Sequence, residues 1–108
     1  MKKVLFKVGK TYLFVDKTDI DLIRSDRNYV KVYCDNRSFI IRKTLRSLEE
    51  KLDPDEFLRI NKSTIVNIDK IKRLKEADNN NYFVVLENQE VLPWGREYRK
   101  NVVKLMRL

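Results

Sequence analysis

The sequence predicts a mainly β, antiparallel domain carrying two short helices. Three observations carry this. Short β-rich segments recur at close intervals between polar turns. Helical spacing of apolar residues shows only near 43–52 and near 96–107. Only two Gly and two Pro interrupt 108 residues, leaving no Gly/Ser-rich or Pro-rich linker where the chain would divide. We therefore expect one domain over residues 1–108, with 43% hydrophobic and 10% aromatic residues enough to fill a single core.

Val4–Val8 and Tyr12–Val15, separated by Gly9-Lys10-Thr11, read as an opening hairpin. Strands are expected next at Ile20–Ile23, Tyr29–Cys34 and Ser38–Ile41. The polar turns Arg24–Asn28 and Asp35–Arg37 join them into an antiparallel meander. From Lys43 to Leu52 the period changes. Leu45, Leu48 and Leu52 fall on one helical stripe that Asp53-Pro54 ends. Two apolar runs, Phe57-Leu58 and Thr64-Ile65-Val66, then bracket a polar knot. Ile68–Leu74 and Tyr82–Leu86 read as strands around an Asp78–Asn81 tip, the second buried on both sides. Glu87–Glu90 turns into Val91-Leu92. From Arg96 to about 107 the chain closes as an amphipathic helix, with Tyr98, Val102, Leu105 and Met106 along one side.

Charge narrows the function. Lys and Arg number 24 against 16 acids, a formal +8 with pI near 9.7, which points to a polyanionic partner or an anionic surface. The excess is +5 in residues 1–54 and +3 in 55–108, so no basic tail carries it and the partner must meet the folded surface. A histidine count of zero removes the usual general base, zinc ligand and triad imidazole. Gly9 and Gly95 alone cannot build a phosphate-cradling loop. Asp16, Asp19 and Asp21 lack the glycine and terminal glutamate of an EF-hand and read as solvated turn residues. We expect no enzyme, metal or cofactor. Cys34, the single cysteine, lies on the Val face of its strand and forms no internal disulfide, consistent with the cytoplasm. No apolar run approaches the ~18 residues of a membrane span.

Binding is better supported, because donor-rich clusters recur where strands end: Ser25-Asp26-Arg27-Asn28, Arg59-Ile60-Asn61-Lys62-Ser63 and Gly95–Lys100. The second contains cations and hydrogen-bond donors without an acid, where a simple turn would use Gly, Pro or Asp. Each cluster mixes Arg or Lys, suited to phosphate or guanine, with Asn, Ser or open backbone. Each alone reads more readily as an ordinary solvated loop, and periodicity cannot place the three on one face.

A resemblance joins them. Asp19-Ile20, Ser25, Asn28–Val32, Arg42–Leu45 with Leu48-Glu49, Phe57–Ser63 with Ile65–Asn67, Ile71, Val91–Pro93 and Arg96–Tyr98 occur in the order and spacing of a LytTR-type DNA-binding domain. The likeness runs from about Val4 to Met106. It implies an elongated domain of antiparallel strands in small packed sheets, found in bacterial transcription regulators and commonly placed behind a receiver domain. It further implies sequence-specific duplex DNA binding, with loops in successive major grooves and the DNA bent around the protein. Carried over position by position, Asn28, Lys62 and Arg96 would read bases. Arg27, Asn61, Ser63, Arg99 and Lys100 would hold the DNA backbone, and Phe57, Ile65, Val66 and Tyr98 would pack. Two copies on repeated half-sites are expected.

Departures leave the target sequence open. Many relatives show His-Arg or His-Asn where this chain has Asn61-Lys62, and Lys is a flexible point donor without the planar fork of Arg. Gly95 stands where relatives have Ser, losing a hydroxyl but allowing close approach at the helix start. Trp94 reads as a wedge in the core or rim. The competing reading is a basic module docking on an acidic protein or a membrane surface, without base selection.

Overall fold

The computed structural model describes residues 2–107; Met1 and Leu108, the ends of the expected domain, lie outside the described residues. Ten strands form a two-stranded, a three-stranded and a five-stranded sheet, all of their pairings antiparallel.

The five-stranded sheet is central. It is built from β3 (Ile20–Asp26), β4 (Tyr29–Cys34), β5 (Arg37–Ile41), β6 (Phe57–Asn61) and β7 (Thr64–Asn67), in the order β5-β4-β3-β7-β6. Its strands alternate between two hydrophobic clusters, as the two-residue period of a strand demands. Ile23, Val30, Val32, Cys34 and Ile65 join β1 (Lys3–Val8), β2 (Thr11–Asp16) and the helix α1 (Leu45–Lys51) on one side. Leu22, Leu58, Ile60 and Val66 join β8 (Ile71–Ala77), β9 (Asn81–Leu86), β10 (Val91–Pro93) and the helix α2 (Lys100–Met106) on the other. Ile60 and Val66 are wholly buried, each contributing about 1.5–3 kcal/mol of apolar transfer. The opening hairpin closes on Gly9-Lys10, where Gly9 takes a φ of +62°.

Several boundaries move. The turn expected over Arg24–Asn28 shrinks to Arg27-Asn28, because β3 continues to Asp26 with Arg24 facing Lys31 and Ser25 facing Val30. Arg59 and Asn61 likewise belong to β6, leaving Lys62-Ser63 as the turn. The first helix starts later than expected, at Leu45. The Thr44 hydroxyl caps it by accepting from the Ser47 amide at 3.0 Å, which leaves Lys43 outside and exposed. The expected strand from Ile68 begins only at Ile71. Asn67 accepts from the Asp69 amide at 3.1 Å and folds Ile68–Lys70 into a 3₁₀ turn.

The closing helix opens as a 3₁₀ turn over Arg96–Tyr98 and becomes α only at Lys100. Val102 is buried on its apolar side, whereas Met106, at the stripe's margin, is 63% exposed. The strand 82–86 is not buried on both sides as expected. Val84 and Leu86 enter the core, but Phe83 is half-buried and shares an open groove with Arg73, Lys75 and Val91. No described helix is long and apolar enough to cross a membrane.

Candidate nucleic-acid interface

Sheet pairing decides where the polar turns go. Strands β3 and β7 run antiparallel with Arg24 opposite Thr64, so the end of β3 lies beside the start of β7 and their turns leave the sheet together. The Ser25 amide donates to the Ser63 carbonyl at 2.9 Å and ties Arg27-Asn28 to Lys62-Ser63. The third segment is tied to the same place. The Gly95 amide donates to Ile60 O at 2.7 Å, and Asn61 Nδ2 donates to Pro93 O at 2.9 Å.

Two adjoining surface depressions result. Arg27, Asn28 and Lys62 line one, together with Lys43 and Arg46. Lys62, Asn61, Ser63 and Arg96 line the next. Lys62 belongs to both, so Asn28, Lys62 and Arg96 lie along one continuous surface. Arg99 and Lys100, at the start of α2, line neither depression.

The Lys62 loop is held from beneath. Asn61 Oδ1 accepts from the Ser63 amide at 2.9 Å and from Ser63 Oγ at 3.0 Å, a side-chain mimic of a backbone turn. In the free protein this engages both donors of Ser63 and one N–H of Asn61, leaving these residues less to offer a phosphate than their positions suggest. Arg59 adds a fork: Nε donates to Asn61 O at 3.0 Å and Nη2 to Lys62 O at 2.6 Å. Its Nη1 meets Glu49 Oε1 at 3.1 Å, and its guanidinium lies 5.2 Å from the Tyr98 ring centroid. The Arg59 side chain is 13% exposed against 79% for Lys62. One cation of the cluster fixes the loop; the other is free to reach.

Gly95 serves the same construction. A Cβ there would meet Cα and Cβ of Asn61 at 3.2 Å, so the space expected to admit a ligand is filled by β6. Trp94 is buried beside it and donates Nε1–H to Tyr98 O at 2.7 Å, a wedge as the sequence implied. Phe57, Ile65 and Val66 are buried packing residues, and Tyr98 is half-buried beneath Arg59.

The electrostatics suit an anion. Among the described residues no carboxylate lines the depression around Asn28. Lys62 Nζ lies 3.7 Å from Glu97 Oε1, both ends well exposed, a screened pair that holds little free energy and is readily exchanged. Arg96 has no ion-pair partner within 4.0 Å among the described residues. Arg27 adopts a φ of +57°, a left-handed conformation that costs a non-glycine residue about 1–2 kcal/mol. Such strain is often retained where a side chain must be aimed.

Elsewhere the described residues hold no group of three His, Cys, Asp or Glu able to bind a metal. Cys34 is buried, and burial pushes its thiol above its ordinary pKa. Sequence reasoning missed the scaffolding role of Arg59 and the placing of Lys43 and Arg46 beside Asn28. The Thr44 cap, with Ser47 three residues on, was a readable sign that Lys43 precedes the helix.

Comparison with known proteins finds likenesses that run over nearly the whole chain. The model of the LytTr DNA-binding domain matches residues 10–107. The sensory transduction protein LytT of Bacillus subtilis is 28% identical over 106 residues, 98% of this chain and 44% of that protein. The CO-responsive transcriptional regulator RcoM of Rhodospirillum rubrum is 28% identical over 97 residues, 89% of this chain and 41% of its own length. The chain thus spans under half the length of these curated relatives. A solved LytTr DNA-binding domain of a putative methyl-accepting/DNA response regulator from Bacillus cereus superposes with TM-score 0.84 at 20% identity, covering 100% of this chain and 99% of that one.

Proposed function

The chain belongs to the LytTr DNA-binding domain family, and from that premise we propose that it binds duplex DNA sequence-specifically as the output domain of a bacterial transcription regulator. One observation carries the reading. Asn28, Lys62 and Arg96, from three separate segments, line adjoining depressions that share Lys62. Arg96 offers guanine a planar fork, Asn28 offers adenine a paired donor and acceptor, and Lys62 supplies a mobile point donor. Arg27 neutralises phosphate beside Asn28. Arg99 and Lys100 touch the DNA backbone further out, while Asn61 and Ser63 act chiefly by shaping the loop and lend their remaining polar atoms to the backbone.

The body is 46 Å along its long axis, more than one helical turn of about 34–36 Å. A duplex lying along that axis would meet the body over more than one turn, and the proposal places the loops in successive major grooves with the duplex bending towards the protein. Two copies on half-sites one or two turns apart, and a receiver domain in a longer protein, complete the proposal.

Fluorescence anisotropy tests it. Labelled random duplex, a selected duplex and anionic vesicles are titrated at several salt concentrations. If about five phosphates are neutralised, log K for duplex falls with log salt at a slope of about −4 to −5, and the selected duplex binds more tightly than random duplex. Preference for vesicles over every duplex would sink the reading in favour of a surface-docking module.

A further inference from the structure

A third basic depression continues the surface past Asn28, and we propose that it clamps the phosphates flanking the site read by the three loops. The proposal rests on the DNA-binding reading above and extends it to residues that the base-reading and phosphate roles leave unassigned. The depression is lined by Lys7, Gly9, Arg42 and Lys43, and it shares Tyr29 and Lys43 with the depression that holds Asn28. It is therefore a continuation of the candidate interface.

Topology explains the convergence. Val30 lies opposite Ile41, so β5 ends where β4 begins and delivers Arg42 and Lys43 beside the Arg27-Asn28 turn. The opening hairpin packs along β5 with the Phe6 and Phe39 rings 5.4 Å apart, and its Gly9-Lys10 tip brings Lys7 to the same end. Its charge has one sign. Among the described residues no carboxylate lines the depression, and neither Lys7, Arg42 nor Lys43 has an ion-pair partner within 4.0 Å.

Two of these cations are steered by aromatic rings: Arg42 lies 5.6 Å from the centroid of Tyr29 and Lys7 lies 5.6 Å from that of Tyr12. Exposed cations held over rings and left without acids suit a regularly spaced, strongly solvated anion. The phosphates of a duplex already seated on Asn28 and Lys62 are that anion, reached without a second partner. The contact adds affinity and footprint but no base choice, since phosphate carries no sequence information.

The test uses the whole chain with Lys7→Gln and Arg42→Gln combined, and with the charge-retaining pair Lys7→Arg and Arg42→Lys. A duplex carrying the preferred site is compared with duplexes trimmed stepwise from either end. The Gln pair should flatten the log K against log salt slope by about two, roughly 0.9 for each phosphate released, and weaken preferred and random duplex by the same factor. Trimming one end should cost wild type that factor and cost the Gln variant nothing further; the charge-retaining pair should behave as wild type. A thermal melt of each variant identifies lost folding, and then the single changes Lys7→Gln and Arg42→Gln, each expected to flatten the slope by about one, supply the charge change instead. Unchanged slope in a folded charge variant, or indifference of wild type to trimming at both ends, overturns the clamp while leaving the three-loop reading intact. Failure of wild type to bind any duplex overturns both.

Discussion

The Lys62 loop should depend on Arg59 more than on any residue that faces the DNA. Arg59→Lys keeps the charge but removes the fork that reaches Asn61 O at 3.0 Å and Lys62 O at 2.6 Å. Hydrogen bonds from charged donors are worth about 1.5–3 kcal/mol each, and a lysine can replace at most one of these. The 13% exposure of the Arg59 side chain leaves little room for water to substitute. We expect a loss of about 1.5–3 kcal/mol in urea unfolding.

The larger claim concerns binding. If Arg59 acts by holding Lys62, the affinity lost on Arg59→Lys should approach that lost on Lys62→Ala, about tenfold for each 1.4 kcal/mol. The double variant should bind no worse than Lys62→Ala alone. Anisotropy on the preferred duplex with all four proteins gives the coupling directly, expected between about 0.5 and 3 kcal/mol. Strict additivity of the two losses would show that Arg59 does not work through Lys62, and the argument from the loop geometry would fail.

Other expectations are simpler. Arg27→Gly relieves a φ of +57°, so unfolding should show stability unchanged or raised by about 0.5–1 kcal/mol while affinity drops on every duplex; a clear loss of stability would refute the strain. Arg96→Ala should cost about 1–3 kcal/mol on the preferred duplex and relax one base position, whereas Arg99→Ala, outside both depressions, should weaken all duplexes alike by a smaller factor. Asp21, expected to be a solvated turn residue, is instead buried in β3, and burial pushes its carboxyl above its ordinary pKa although Lys70 Nζ lies 3.8 Å away and pulls the other way. The folded state then holds that proton longer than the unfolded chain. Its contribution is fully present below the ordinary carboxylate pKa and is lost as pH rises through the raised value. The stability of wild type minus that of Asp21→Asn should accordingly fall with rising pH across that window; a difference that rises instead contradicts the direction of the shift.

Much of the fold was legible because it rests on local period. Tyr29–Cys34 alternates cleanly and is β4 from end to end. The Leu45 and Leu48 stripe is α1's buried side. Two misjudged boundaries lay where side chains bond to backbone, at the Thr44 cap and where Asn67 converts the start of an apparent strand into a 3₁₀ turn, and the end of β3 moved because strand pairing carries on through polar residues. The openness around Phe83 was hidden because an apolar strand reads the same whether one face or both are covered.

For the candidate site, the polar segments stood out in the sequence, but their meeting did not. It depends on β3 pairing with β7 across some forty residues and on the Gly95 to Ile60 bond, long-range facts that only the family resemblance anticipated. Arg59 and Lys62 could not be told apart as donors, since their difference is one of burial.

The central claim, that three loops at one end of the sheet read different bases, is tested most directly by selecting binding sites from a random duplex pool. Wild type and the alanine variants of Asn28, Lys62 and Arg96 are run in parallel. We predict that each variant returns the wild-type motif with preference lost at its own base position, different for each residue. Recovery of an undiminished wild-type motif by all three variants would contradict it.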